Sequence, residues 1–340
     1  MTSNPRRARR GASAGREFGS RWNLGSGRLQ HLCSALVVTL CVASLPTAAT
    51  AVLRIDVPDV RGDQLIFYYD ARDGRASFLT VNNPAQSGSV VVEVAFYSTD
   101  LASVVGSDQI EIPAAGTTII DPSSLDGVAG NRGLAVVTPI DTEGKAIVPP
   151  VPLTGTFTLA NLKNAAFGEN AMGRRAVLDD GTRAAAGKRV DNTGDAPVRY
   201  QQFAPTILTI PGYFDPRDLA PAADDGNRVI VAAFKDVYGD LFRIAARDPA
   251  LRVTVHLCDG SSGTVLVETE LKVDDVAGVN GVAVTDLQAL AGGVALDSAG
   301  SVYFSPEPLG SNNFFGIFSQ SLGTFGAGQR MPSASTTPWL

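Results

Sequence analysis

Two spaced landmarks repeat along this chain about 165 residues apart, and repetition on that scale restricts the architecture more than any other feature of the sequence. Asp121-Pro-Ser-Ser-Leu125-Asp-Gly127 recurs as Asp286-Leu-Gln-Ala-Leu290-Ala-Gly292. In the same order, Gly133-Leu-Ala-Val-Val-Thr-Pro139 recurs as Gly300-Ser-Val-Tyr-Phe-Ser-Pro306. Internal repeats mark repeated structural units, so the chain is expected to hold two copies of one fold.

The apolar period inside each copy is two. In Val90-Val-Val-Glu-Val-Ala-Phe-Tyr97 one face carries Val90, Val92, Val94 and Phe96, the pattern of a strand buried on one side. Its partner is Arg252-Val-Thr-Val-His-Leu-Cys258, which aligns without a gap and places Val94 with Val255. Further strands are expected in both copies, among them Ala76–Val81 with Arg228–Phe234, Thr117–Ile120 with Val282–Thr285, and Gly155–Ala160 with Asn313–Phe318. Gly116 and Gly281 precede equivalent strands, where a turn of positive φ is expected. Asp121 and Asp286 are suited to capping one short helical turn, and Gly127 and Gly292 to ending it.

About seven short strands per copy, with frequent turn signals, point to an all-β chain of two tandem antiparallel β-sandwich modules of immunoglobulin-like kind. A single barrel or a jelly roll is the structural alternative, because these patterns do not fix strand order. The expected division is a signal peptide at 1–51, module 1 at 52–175, an exposed loop or linker at 176–197, module 2 at 198–331 and a mobile tail at 332–340. The loop reading extends to the Ala-, Gly-, Arg- and Asp-rich stretch from Arg174 to Pro197, and Pro149-Pro-Val-Pro152 reads as a stiff connection.

The first 51 residues decide the compartment. Seven arginines precede Leu29, the apolar run Leu32–Leu45 follows, and Ala49-Thr-Ala51 ends in small residues, the pattern of a secretory signal. The run is 14 residues long, short of the roughly 20 that span a bilayer. A membrane anchor and a lipoprotein are the alternatives. Cleavage after Ala51 leaves 21 Lys and Arg against 33 Asp and Glu, a net charge of −12 that repels phosphate backbones and anionic lipid. Neither nucleic acid nor membrane insertion of the mature chain is therefore expected. Of three cysteines only Cys258 remains, so no intramolecular disulfide is available and the thiol reads as a small buried hydrophobe.

Few residues carry chemistry. His256 is the one histidine after processing, which starves both nucleophilic triads and zinc sets. Gly181-Thr-Arg-Ala-Ala-Ala-Gly187-Lys188 approaches a phosphate-binding loop, but five residues separate the glycines where four are needed. Asp70 with Asp73, or Asp191 with Asp195, could supply oxygen ligands to calcium, but neither pair matches a full calcium-loop pattern and turn formation is the better reading. No other cofactor is expected. The candidate binding residues are Glu169, Asn170 and Gln320, beside the Phe-Gly blocks that close each copy, together with Arg252 and His256 on one strand face. Those blocks read as plugs over the sandwich ends, with glycine allowing close backbone approach, or else as the rim of a cleft.

Thr80–Pro84, Phe167–Ala171 and Ser319–Gly326 resemble blocks carried by a family of exported bacterial β-sandwich proteins, and the likeness spans most of the mature chain. The resemblance implies a secreted or envelope location and brings no activity with it. The expected function is binding or structural, at a protein or glycan partner on the cell surface or beyond, in the periplasm, at the surface or outside the cell. The alternative is a secreted, carboxylate-dependent hydrolase acting on glycans, whose paired acids are a property of the fold and invisible in sequence.

Overall fold

The computed structural model of the protein describes residues 54–55, 59–161, 165–203, 207–213, 226–246, 251–273, 276–279, 281–292, 294, 300–307, 313–322 and 325–331. The expected signal peptide and tail lie outside them. The described chain is almost entirely β, in antiparallel sheets.

The first half contributes β1 (Arg54–Ile55), β2 (Arg61–Gly62), β3 (Gln64–Asp70), β4 (Arg75–Asn82), β5 (Val90–Ser98), β6 (Val104–Ile112), β7 (Thr117–Ile120), β8 (Arg132–Pro139), β9 (Leu153–Asn161), β10 (Ala165–Asn170) and β11 (Met172–Arg174). Short pieces follow as β12 (Ala176–Val177), β13 (Arg199–Tyr200) and β14 (Gln202–Phe203). The second half holds β15 (Leu208–Tyr213), β16 (Gly226–Val237), β17 (Arg243–Ala245), β18 (Arg252–Asp259), β19 (Val265–Val273), β20 (Val276–Ala277), β21 (Val282–Asp286), helix α1 (Leu287–Leu290), β22 (Gly300–Glu307), β23 (Asn313–Leu322) and β24 (Phe325–Arg330).

Four principal sheets result. Sheet I runs β10-β9-β4-β7, sheet II β11-β3-β8-β5-β6, sheet III β17-β16-β23-β24 with β21 also on β16, and sheet IV β15-β22-β18-β19-β20. Strand order corresponds between halves, β3-β8-β5-β6 against β15-β22-β18-β19 and β10-β9-β4-β7 against β24-β23-β16-β21. Register corresponds as well. Val92 faces Pro139 and Val94 faces Val137, while Val253 faces Pro306 and Val255 faces Phe304. Leu79 stands between Ile120 and Phe157 as Val229 stands between Thr285 and Phe318. The order departs from the immunoglobulin pattern, where first and second strands pair and sixth and seventh strands pair. Counting from β3, the first long strand of this half, the sixth strand, β8, lies beside β3, and the seventh, β9, lies beside β4. The edge strands have changed sheets, which periodicity alone does not reveal.

Sheet I packs on sheet II, sheet II on sheet III and sheet III on sheet IV, while the edge strand β10 of sheet I also runs beside β24 of sheet III; hydrophobic continuity explains the packing of the faces. Residues on β3 are buried at every position, and β8 is buried from Gly133 onward. One face of sheet II, with Leu65, Phe67, Val94 and Phe96, meets Phe157 and Leu79 of sheet I; Phe67 and Phe157 pack edge to face at 6.4 Å. The other face bears the row Tyr68–Leu134–Tyr97 and meets the second half. Sheet III is likewise buried twice. Ile230, Ala232, Phe315 and Ile317 join the core of the first half, whereas Val229, Val231, Phe314 and Phe318 join Val255 and Phe304 of sheet IV. Near-continuous apolar runs belong to doubly covered strands, and alternating runs to sheets with one wet face. The expectation that Val90–Tyr97 is buried on one face is therefore corrected: Glu93, Ala95 and Tyr97 are buried too, because the second half covers them.

Asp121 and Asp286 cap their short helical turns, each accepting a bond from the backbone two residues on, Ser123 N and Gln288 N. Gly127 and Gly292 follow at φ 76° and 61°. Gly116 and Gly281 do not have positive φ. Close approach holds these glycines instead, since a Cβ would meet Pro113 at 2.6 Å and the Thr99 carbonyl at 2.0 Å respectively. The 174–197 stretch is not an exposed loop throughout. Arg174, Ala176, Val177, Ala184 and Val190 are buried, and Gly187 N and Val190 N donate to Val148 O and Ala146 O, binding this stretch to the proline-rich arm.

Candidate functional site

The seam between the halves is built on Arg174, which has no exposed surface. Its Nε donates to Gln64 Oε1 at 2.7 Å, and its Nη1 reaches Asp236 at 2.9 Å and Asn313 Oδ1 at 3.3 Å. Rings of Tyr200, Phe242, Phe234 and Phe203 surround the guanidinium at 4.9 to 5.9 Å. Burial pushes the Asp236 carboxyl up from its ordinary value, and Arg174 pulls against that rise. Beside this hub Glu93 takes both terminal nitrogens of Arg243 at 2.7 and 2.9 Å, and Tyr97 Oη accepts from Ile244 N at 3.2 Å. These bonds tie the sheets together across the seam, although the buried Arg174 Nη2 and Tyr200 hydroxyl have no hydrogen-bond partner there.

The open faces of the stack belong to sheets I and IV. On sheet I the outward residues of the four long strands include Phe78, Thr80 and Asn82 of β4, Thr117 and Ile119 of β7, Thr154, Thr156 and Thr158 of β9, and Gly168 and Asn170 of β10, all uncharged, while the short β2, paired with β9, adds Arg61 opposite Thr154. Ladder pairing sets them in rows: Ile119–Thr80–Thr156–Asn170, then Phe78–Thr158–Gly168. A third row is cross-linked, with Thr117 Oγ1 donating to Asn82 Oδ1 at 2.6 Å and Asn82 Nδ2 to Thr154 Oγ1 at 3.2 Å. Phe78 is 42% exposed and Ile119 67%. The face thus offers hydroxyls, amides and one aromatic ring, with a single charge at its margin, Arg61, which ends the third row opposite Thr154.

Sheet IV is the opposite in chemistry. His256 lies between Tyr303 and Glu268, its Nε2 3.5 Å from the Glu268 carboxylate, and Arg252 Nε stands 3.9 Å from Glu270. The candidates Arg252 and His256 therefore share a face and belong to an exposed ladder of mixed charges. Glu169, Asn170 and Gln320 lie elsewhere. Glu169, on β10, pairs with Arg330 of β24 at 3.6 Å, and Gln320, on β23, donates to Asn227 Oδ1 at 2.7 Å. Phe167 and Gly168 sit within β10 itself, and a Cβ on Gly168 would meet nothing closer than 3.6 Å, so close approach does not explain that glycine.

One acid of each pair read from the sequence is engaged internally. Arg72 holds Asp70 with two bonds of 2.7 and 2.8 Å, and Asp191 accepts from Thr193 N and Oγ1. Among the described residues no group of three or more His, Cys, Asp or Glu is placed to hold a metal ion. Two of the three cations of the phosphate-loop-like stretch are paired, Arg183 with Asp63 and Arg189 with Asp141 and Glu143. The two asparagines of the Thr80–Pro84 block divide their work: Asn82 faces outward, while buried Asn83 donates to Gly88 O, Ile112 O and Pro113 O.

Sequence reasoning missed the sheet I face. Its signal was the run Leu153-Thr-Gly-Thr-Phe-Thr-Leu159, where every outward position is threonine. Comparison of the chain with protein-family profiles, with curated proteins and with solved structures gave no match.

Proposed function

We propose that this is an exported bacterial protein that binds a neutral glycan on the outer face of sheet I, at the cell envelope or beyond it. Residues 1–51 act as the cleaved signal. The body is a tandem duplication of one immunoglobulin-like sandwich with exchanged edge strands, 52–175 and 198–331, joined by 176–197 and followed by the tail 332–340. Shared strand order and register support that reading.

The threonine- and amide-rich face, free of acidic side chains on its four long strands and with Arg61 as the charge at its margin, is the observation that carries the binding role. A mature chain with net charge −12 has acidic residues in abundance, yet these outward positions of β4, β7, β9 and β10 hold threonine, asparagine, glycine, isoleucine and phenylalanine. Neutral sugars present hydroxyls to such groups and stack ring C–H bonds on an aromatic face, whereas an anionic polymer is repelled by the molecule as a whole. The test is a glycan array read with the mature protein, alongside hydrolysis assays on the same polymers. Phe78→Ala and Thr156→Lys are expected to weaken retention tenfold or more with unchanged folding. Retention that survives both changes removes sheet I from the role, and turnover abolished by one Asp or Glu substitution would replace binding with hydrolysis.

A further inference from the structure

Strand β6 forms an edge of sheet II, pairing with β5 on one side. At its first end the chain covers the edge itself: a Cβ on Gly106 would meet the Val128 side chain at 2.6 Å, and one on Gly127 the Val105 carbonyl at 2.4 Å. From Ser107 to Glu111 no described segment pairs with the other side, and Ser107, Asp108, Gln109 and Glu111 are exposed. An exposed run of strand backbone is a template for another strand.

The second half shows what fits such a position. Leu271 faces Val253 as Ile110 faces Val92, so Lys272 and Val273 of β19 occupy the places that Glu111 and Ile112 occupy in β6. There the chain adds its own strand, β20, antiparallel on Lys272 and Val273. The first half has no such addition among the described residues. A groove of about 720 Å³ runs up to this edge, lined by Gln109 of β6 with Val91, Ile140, Ile147, Pro149 and Pro150. Apolar side chains of an incoming strand would find room in it.

We propose that the Ser107–Glu111 edge binds an extended segment of another protein by antiparallel strand addition. Its chemistry is basic residues alternating with apolar ones. Backbone bonds would supply affinity and the groove would select side chains. Charge decides against a second copy, because an antiparallel β6 pair gathers the acidic side chains of both chains; Glu111 shares the groove-side face of Gln109, while Asp108 lies on the opposite face and favours lysine or arginine there as apolar residues enter the groove. This edge lies outside the sheet I face, so the glycan assay and this inference succeed or fail separately.

The mature protein would be titrated with a synthetic peptide of alternating lysine and valine, and with a glutamate–valine peptide as control, while amide hydrogen exchange is followed. The lysine peptide is expected to protect Ser107–Glu111. Asp108→Lys is expected to weaken binding tenfold or more, while Glu268→Lys on sheet IV leaves it unchanged. Circular dichroism checks that each variant is folded. Absence of binding, protection at other strands, or equal binding by the charge-reversed variant overturns the proposal. So does concentration-dependent protection of β6 without peptide, which would make a second copy the occupant.

Discussion

Removing the Arg174 guanidinium leaves the Asp236 carboxyl in the seam with only Asn313 and Tyr238 as polar partners, and opens a gap among four aromatic rings. Breaking a buried ion pair by deleting one partner costs about 3–5 kcal/mol, whereas replacing both partners by groups that pack is often neutral. Arg174→Ala is therefore expected to lower unfolding free energy by about 3–5 kcal/mol in denaturant melts. Arg174→Met with Asp236→Leu should recover much of that loss, since the cage is already apolar. Equal destabilisation by the single and double variants would show that packing volume, and not charge pairing, is what Arg174 supplies. Its burial was not legible in sequence. The stretch around it is rich in Gly, Asp and Arg, and nothing local marks which arginine will be enclosed by rings from 26 to 68 positions away. The cap residues, by contrast, were readable, because an Asp before a helical turn acts on backbone groups two residues on.

At the level of strands, equivalent positions in sheets I and III have opposite surroundings. Thr80 stands between Ile119 and Thr156 on an open face; Ile230 stands between Val284 and Ile317 and is fully buried against sheet II. A lysine at Thr80 keeps its ammonium in water, so Thr80→Lys should change stability by no more than about 0.5 kcal/mol. The same change at Ile230 buries an unpaired charge and should cost more than about 4 kcal/mol, or prevent folding. Chemical denaturation of the two variants compares them directly, and similar losses would contradict the stacking order. Strand positions were largely readable because period-two patterns act locally. Sheet membership was not, since β3 and β9 could join either sheet without altering their own alternation. The runs Gln64–Tyr69 and Val229–Phe234 did carry the stacking signal: continuous apolar strands need cover on both sides.

Four layers joined through the seam should make the two halves unfold as one. Tyr68, Tyr97, Tyr200 and Tyr238 lie at that seam, and with Tyr69 in the first sandwich they make five of the chain's seven tyrosines whose phenols burial pushes above the ordinary value of 10.0. Tyr97 is pushed up to about 12. The unfolded chain loses these protons first, so the native state binds more of them in alkali, and stability falls with rising pH. The contribution is fully present below pH 10, the unfolded value, and is lost as pH climbs through the folded values. For Tyr97 alone this is on the order of 2–3 kcal/mol between pH 10 and 12. Tyrosinate absorbance and circular dichroism recorded together against pH should therefore change in a single steep step above pH 10, with most phenols ionising only as strands are lost. Tyr97→Phe should make that step shallower while lowering stability at neutral pH by about 1 kcal/mol, because the Ile244 amide loses its acceptor. Two separated steps, one for each half, would mean that Arg174, Glu93 and Arg243 do not couple the halves.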